Sequence, residues 1–328
     1  MVNNSKLYPL KFTPIIKRKV WGGEKIKSIY RHGVTDEANI GESWEIAAMS
    51  EEDDSEVING FLQGNTLSEL VEVYMGDLVG DHVYSTFGDR FPLLLKILDA
   101  QNQLSIQVHP SADNEELDVC EKNELWYVLQ ADQGAYVISG FNHEVLEDEC
   151  LDLLEDGVLE HALRKVPVVK GDVVFVPSGC VHSIGPGCLI LEIQQASDTT
   201  YRLYDFNRLD TNGQLRQLHI DEALENINWE GWCNDKIDYH VRTNDVTTVL
   251  DRPCFTFNIM EIDRPRDYEL GLIDSFVILT CVEGHVTIGF DDDYITLTDM
   301  ESVLIPAEIN TLTLVPTVKS RLVETYIK

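Results

Sequence analysis

Imidazole, carboxylate and amide side chains recur in this chain at spacings that could converge on one metal ion. In SIQVHP, Gln107 and His109 alternate, so an extended backbone turns both side chains to one face, with Ser105 on the same side. Glu124 opens the next apolar run, ELWYVL. His182 ends the pattern G-x-x-x-x-x-P-x-G-x-x-H, which runs from Gly171 through Pro177 and Gly179. In that pattern Gly171 and Asp172 make a turn, VVFVP is a strand, and P-S-G turns the chain so that His182 begins another strand. Two imidazoles, a carboxylate and an amide oxygen suit zinc, iron, manganese or cobalt and leave room for water or substrate. A lone histidine is more often a satisfied core or surface residue, and it is the joint placement that favours ligation. His32, His82, His143, His161, His219, His240 and His285 show no such pairing and are read as structural.

The elements that must carry these residues are mostly strands. Short β-branched and aromatic runs such as VVFVP, LILEI, FVILTCV and SVLIP recur between Gly, Pro and Asp clusters. Helices are expected only as insertions: from Thr66, where T-L-S-E makes a capping box, from about Glu147 to Arg164, and near Asp221. Gly171 to Ile184 matches Met300 to Thr313, placing Pro177 on Pro306 and His182 on Thr311. Glu124 to Phe141 likewise resembles Ser275 to Phe290. The second copy lacks the polar chemistry. The glycine, proline and histidine pattern is the second cupin motif, so the expected fold is mainly β, with two cupin-type jelly-roll barrels or sandwiches. We place a metal-binding domain at 1–235 and a C-terminal cupin-like domain without metal ligands at 236–328, separated in the polar stretch from Asn226 to Val249 that holds Trp229 and Trp232.

Charge limits the partners. A formal net charge of -32 repels nucleic acid and anionic membranes, and it requires any site for a phosphorylated substrate to contain its own cations. No apolar run approaches the roughly 20 residues of a membrane helix, and MVNNSKLYPLKF lacks the layout of a secretory signal, so a cytoplasmic location is expected. Seven cysteines, Cys120, Cys150, Cys180, Cys188, Cys233, Cys254 and Cys281, are odd in number and show no C-x-x-C spacing, so reduced thiols are expected.

QVHP, NELWYVL, GDVVFVPSGCVHSIG and LEIQQASDTTYRLYDFNR resemble successive signatures of the type I phosphomannose isomerase family. The likeness extends toward the amino terminus through PLKFTP, the VWGG containing Trp21, GESWEIAAM and FPLLLKILDA, and covers about two thirds of the chain strongly. It implies a sugar-phosphate isomerase with one zinc ion per chain on Gln107, His109, Glu124 and His182. It also implies an essential arginine at Arg202 and a polar pocket lined by Lys96, Ser105, Glu192 and Asp198. The link SADNEELDVCEKN before Glu124 is short and acidic where relatives often have a longer stretch with Gly-Lys-Thr, and Asn123 stands where Thr is common, while Lys122 remains.

Aldose to ketose isomerisation removes a proton beside a carbonyl, stabilises an enediolate and returns the proton to the adjacent carbon. A Lewis acid could polarise the oxygens, and a permanently charged guanidinium such as Arg202 could stabilise the developing oxyanion. Glu192, Asp198, a metal-bound water and Lys96 are the chemically capable proton carriers, with Lys96 also able to pair with the substrate phosphate or with Glu192. The bland alternatives are a rim ion pair for Arg202 and Asp198, a snorkelling strand residue for Lys96, and a core position rather than a pocket wall for Trp21. Two rival functions are a metal cupin dioxygenase and a non-catalytic sugar-binding or regulatory cupin. The run from Asp198 to Arg208 argues against the first, and the intact ligands with Arg202 argue against the second.

Overall fold

The computed structural model describes residues 6–30, 37–111, 121–210, 212–230, 233 and 236–328; His32, Cys120, Trp232 and most of the acidic link before Glu124 lie outside them. The chain divides into two compact units. One comprises residues 16–44 and 93–237, the other residues 1–15, 45–92 and 238–328. The two units therefore interleave in sequence, rather than following one another as consecutive blocks.

The first unit contains β1 (Ile15–Gly23), most of β2 (Ile40–Ile46), and then β3 (Leu93–Ala100), β4 (Ile106–Val108), β5 (Glu124–Ala131) and β6 (Tyr136–Phe141). It continues with β7 (Leu163–Pro167), β8 (Val173–Val176), β9 (His182–Ile184), β10 (Cys188–Gln195) and β11 (Tyr201–Tyr204). These make two sheets, ordered β1-β2-β3-β10-β5-β8 and β11-β4-β9-β6-β7. The second unit carries β12 (Val246–Asp251), β13 (Thr256–Ile262), β14 (Arg266–Glu269), β15 (Val277–Glu283) and β16 (Val286–Phe290). Its remaining strands are β17 (Asp293–Leu297), β18 (Ser302–Ile305), β19 (Thr311–Pro316) and β20 (Ser320–Tyr326), in sheets β12-β13-β20-β15-β18 and β14-β19-β16-β17. Adding ten to each strand from β3 to β10 reproduces the order from β13 to β20, so the internal repeat read from sequence is a doubled eight-strand jelly roll. His182 opens β9 and Thr311 opens its counterpart β19, as the alignment places them.

Alternating inward residues supply each core. Trp21, Leu98, Trp126, Val128, Val137, Val174 and Ile190 pack inside the first unit. Met260, Leu279, Ile288, Leu314 and Leu322 do so in the second. Burying each such aliphatic or aromatic side chain contributes about 1.5–3 kcal/mol. The helices are short. α1 (Leu67–Val79) starts at the expected capping box, with Thr66 and Glu69 satisfying each other's backbone N–H, followed by α2 (Asp81–Phe87). α3 (Glu147–Glu155) is shorter than the helix expected to Arg164, because Gly157 takes φ +68 and Leu163 already begins β7. α4 (Ile220–Asn226) lies where the helix near Asp221 was expected. No helix among the described residues is long and apolar enough to cross a membrane.

The expectation of reduced thiols is corrected at one pair. Cys180 and Cys233 form a disulfide, with Cα atoms 5.6 Å apart. Tertiary folding brings them together across a separation of 53 residues, a proximity that no local spacing announces. Cys150, Cys188 and Cys281 remain buried thiols, and burial pushes them up to about 11, 11 and 12.

Two stability predictions follow from these features. Cys233→Ser should lower the unfolding free energy by roughly 2–4 kcal/mol in non-reducing buffer, since the bond restrains a long loop in the unfolded chain. Equal urea midpoints for the two proteins would show that the link contributes nothing. In the second unit, Glu324 is fully buried, accepting from Asn258 Nδ2 at 2.7 Å and from Tyr268 Oη, and burial raises its pKa above the ordinary 4.5. A raised folded-state pKa gives stability that is complete below about pH 4.5 and declines as the pH rises through the raised value. Glu324→Gln should flatten that part of the Tm-versus-pH curve, and identical slopes in variant and parent would refute the assignment.

Candidate active site

Register brings the sequence-selected residues of the first unit into one cavity. Across one sheet, Gln107 on β4 pairs with His182 on β9 and with Arg202 on β11, so the three side chains stand side by side on one face. His109 follows one residue after β4. Across the other sheet, Glu192 on β10 pairs with Lys96 on β3 and Trp126 on β5, while Gln194 pairs with Glu124. The β8–β9 turn delivers His182 through Gly179, whose φ of +74 suits the left-handed turn. At the cavity wall, Gly41 passes so close to Lys19 and Trp21 that a Cβ would lie 2.6 Å from the lysine side chain.

His109, Glu124 and His182 are almost wholly buried, with potential ligand atoms all within 4.8 Å of one another. His182 Nδ1 donates to the Cys180 carbonyl at 2.8 Å and His109 Nδ1 to the Thr199 carbonyl at 3.1 Å. Both backbone bonds select the tautomer that leaves Nε2 unprotonated and aimed at the centre. Burial, reinforced by the Lys122 ammonium, lowers the His109 pKa to about 3, and burial lowers that of His182. Burial opposes ionisation of Glu124, but the positive charge around it, including the Lys122 ammonium 3.1 Å away, holds its carboxyl well below the usual range. A bare His109 Nε2 consequently faces Glu124 Oε1 at 2.9 Å with no proton between them, and it makes no hydrogen bond. Two lone pairs pressed together in a buried position call for a cation. The Gln107 amide donates to His182 Nε2 at 3.1 Å, while its oxygen accepts from Ser105 Oγ at 3.1 Å. A half-turn of that amide would present its oxygen to the same centre, and the donor set then fits a divalent metal.

Beyond the ligands, the cavity, of about 120 Å³, is lined by Lys19, Trp21, Glu42, Lys96, Glu192, Asp198, Arg202 and Arg216, among others. Lys96 is 4% exposed. Its Nζ donates to Gln194 Oε1 at 2.8 Å and lies 3.5 Å from Glu192. Burial opposes its charge, but Glu192 and Glu42 outweigh burial and push its pKa up, so it is a fixed cation. Burial and the neighbouring Glu124 raise Glu192 to about 7, although Trp126 Nε1 donates to it at 2.9 Å. Glu42 is driven the opposite way, to about 2, because Lys96 and Lys19 overcome its burial. Trp21 is both a core residue and a cavity wall.

Several site residues escaped the sequence reading. Lys19, Glu42 and Trp44 lie on β1 and β2, where alternation alone does not distinguish a cavity face from a solvent face. His219, read as structural, accepts a hydrogen bond from the Arg202 backbone N–H at 3.2 Å and donates its own N–H to the Arg202 carbonyl at 2.9 Å, anchoring that strand to the start of α4. A larger hollow of about 540 Å³ in the same unit, lined by Phe141, His143 and Trp229 among others, contains no comparable ligand cluster among the described residues.

Known proteins share this organisation. A family model for the catalytic domain of type I phosphomannose isomerase matches residues 9–164. The Bacillus subtilis mannose-6-phosphate isomerase ManA is 37% identical over 281 residues, covering 84% of this chain and 86% of its own. The Streptococcus mutans mannose-6-phosphate isomerase is 35% identical, with 86% and 88% covered. A solved mannose 6-phosphate isomerase from Bacillus subtilis superposes with a TM-score of 0.88 at 30% identity, covering 98% of this chain and all of that one. Similarity of this extent in sequence and fold, with the motif residues gathered in one cavity, means that the chain belongs to the type I phosphomannose isomerase family.

Proposed function

We propose that the protein interconverts mannose 6-phosphate and fructose 6-phosphate, using one zinc ion per chain held by Gln107, His109, Glu124 and His182. The observation that carries this reading is the convergence of His109, Glu124 and His182, whose potential ligand atoms lie within 4.8 Å of one another, with Glu124 lining a cavity that also holds Lys96, Glu192 and Arg202. Two imidazole nitrogens and two side-chain oxygens form a donor set that suits zinc, which when bound supplies a Lewis acid for the sugar oxygens.

The chain's own groups account for the proton and the charge. Glu192, raised to about 7, is balanced between its acid and base forms near neutrality, which suits removal of a proton from one sugar carbon and its return to the next. Lys96 cannot exchange a proton under the same conditions; it fixes Glu192 in place and adds positive charge. Arg202, adjacent to Gln107 in the sheet, is placed to stabilise the oxyanion that develops as the carbonyl enolises. Ser105 holds the Gln107 amide, and Asp198 and Trp21 form part of the cavity wall.

A coupled assay for fructose 6-phosphate formation should show turnover that is lost on chelation and restored by zinc. Turnover that survives complete metal removal would overturn the assignment, and zinc-loaded protein without turnover would point to a sugar-binding module. His182→Ala should lose bound zinc and activity together. Arg202→Ala should keep its zinc, measured by atomic emission, while kcat falls by about 100-fold or more, as when an oxyanion-stabilising donor is removed.

A further inference from the structure

The cations of the cavity differ in how far the protein already neutralises them. Lys19 lies 3.1 Å from Glu42, Lys122 lies 3.1 Å from Glu124, and Lys96 stands against Gln194 and Glu192. Arg202 has no such carboxylate partner among the described residues, and its Nε is buried without a hydrogen bond. Arg216 lines the same cavity and is gripped from one side only. Its Nε donates to Asp205 Oδ2 at 2.7 Å and its Nη2 to Asp205 Oδ1, and Nη1 makes no side-chain hydrogen bond among the described residues.

Asp205 is 5% exposed, and its Oδ1 also accepts from Arg208 Nη2 at 2.5 Å. Arg208 in turn donates to the Gln103 carbonyl, tying the segment to the residues just before β4. The backbone is bent to make this possible. Arg208 N–H donates to the Asp205 carbonyl at 3.2 Å across Phe206 and Asn207, whose φ values are +58 and +52. Two successive left-handed residues suit glycine or asparagine, and a phenylalanine there costs about 1–3 kcal/mol unless its surroundings hold it. The bridge from Arg208 through Asp205 to Arg216 is what holds it. Burial and the charge of Arg216 pull the Arg202 pKa down, against the opposing charges of Asp205 and Asp198, so the two guanidiniums feel each other across the cavity.

We propose that Asp205 is a positioning residue that aims Arg216 into the cavity beside Arg202, so that Arg216 receives the phosphate end of the substrate while Arg202 serves the reacting oxygens. The proposal rests on the sugar-phosphate reading given above. The test combines calorimetric titration of the zinc-loaded protein with inorganic phosphate and steady-state kinetics on mannose 6-phosphate. Asp205→Asn should weaken phosphate binding and raise KM by about tenfold or more, with kcat falling less than about threefold and zinc content preserved. Asp205→Glu should recover part of the affinity. Arg216→Gln should reproduce the loss of phosphate binding, and it carries the test if Asp205→Asn does not fold. Undiminished phosphate affinity in either folded variant, or a fall in kcat at constant KM, would overturn the proposal. Loss of phosphate binding in both variants of a protein that shows no isomerase turnover would uphold the anion subsite while overturning the isomerase reading.

Discussion

Two imidazole nitrogens and a carboxylate, those of His109, His182 and Glu124, converge almost wholly buried, and the fold of the first unit is arranged around that convergence. Leaving such groups unpaired costs several kcal/mol each, far more than any single apolar contact returns. The backbone carbonyls of Cys180 and Thr199 fix the rings so that neither can escape by taking up the other tautomer. The ligands come from both sheets, so their geometry depends on the whole roll closing correctly, and a cation at the centre would couple its binding to folding.

Charge is handled by separation. A chain with 57 acidic and 25 basic residues gathers several of its cations in one cavity, where Lys19, Lys96, Lys122 and Arg216 each face a carboxylate and Arg202 is paired with none among the described residues. Lys96, Glu42 and Lys19 form a chain of alternating signs in which Glu192 and Glu42 drive Lys96 upward, Lys96 and Lys19 drive Glu42 downward, and burial with Glu124 raises Glu192 to about 7. Such a focus can attract a dianionic sugar phosphate that the rest of the surface repels.

The fold class and the residues that converge in the His109, Glu124 and His182 cluster were legible in the sequence because both leave periodic or spaced traces. The second cupin motif fixes a turn, a strand and a ligand within twelve residues, and the repeat with Met300 to Thr313 exposes the doubled roll. Other features depend on contacts that no local pattern encodes. Nothing near Cys180 announces Cys233, and nothing near Arg202 announces His219 or Arg216, because strand and helix packing sets those meetings. The premature end of α3 was visible in Gly157, but its acidic, helix-favouring surroundings concealed the signal. The interleaving of the two units arises because residues 45–92 leave one unit and return to it at β3, an excursion without a change of composition to mark it.

The doubled strand order has a historical reading. Two rolls with the same winding, one holding ligands and the other holding Ser275 and Thr311 at the matching positions, are the expected residue of an ancestral gene duplication in which a single copy kept the chemistry. The copy released from that task could accept any side chains that preserve its interior, and its buried Tyr268 and Asn258 both donate to Glu324 in a polar cluster of its own. Descendants should therefore diverge unevenly, the ligand-bearing roll constrained residue by residue and its twin constrained only by volume, pairing and shape.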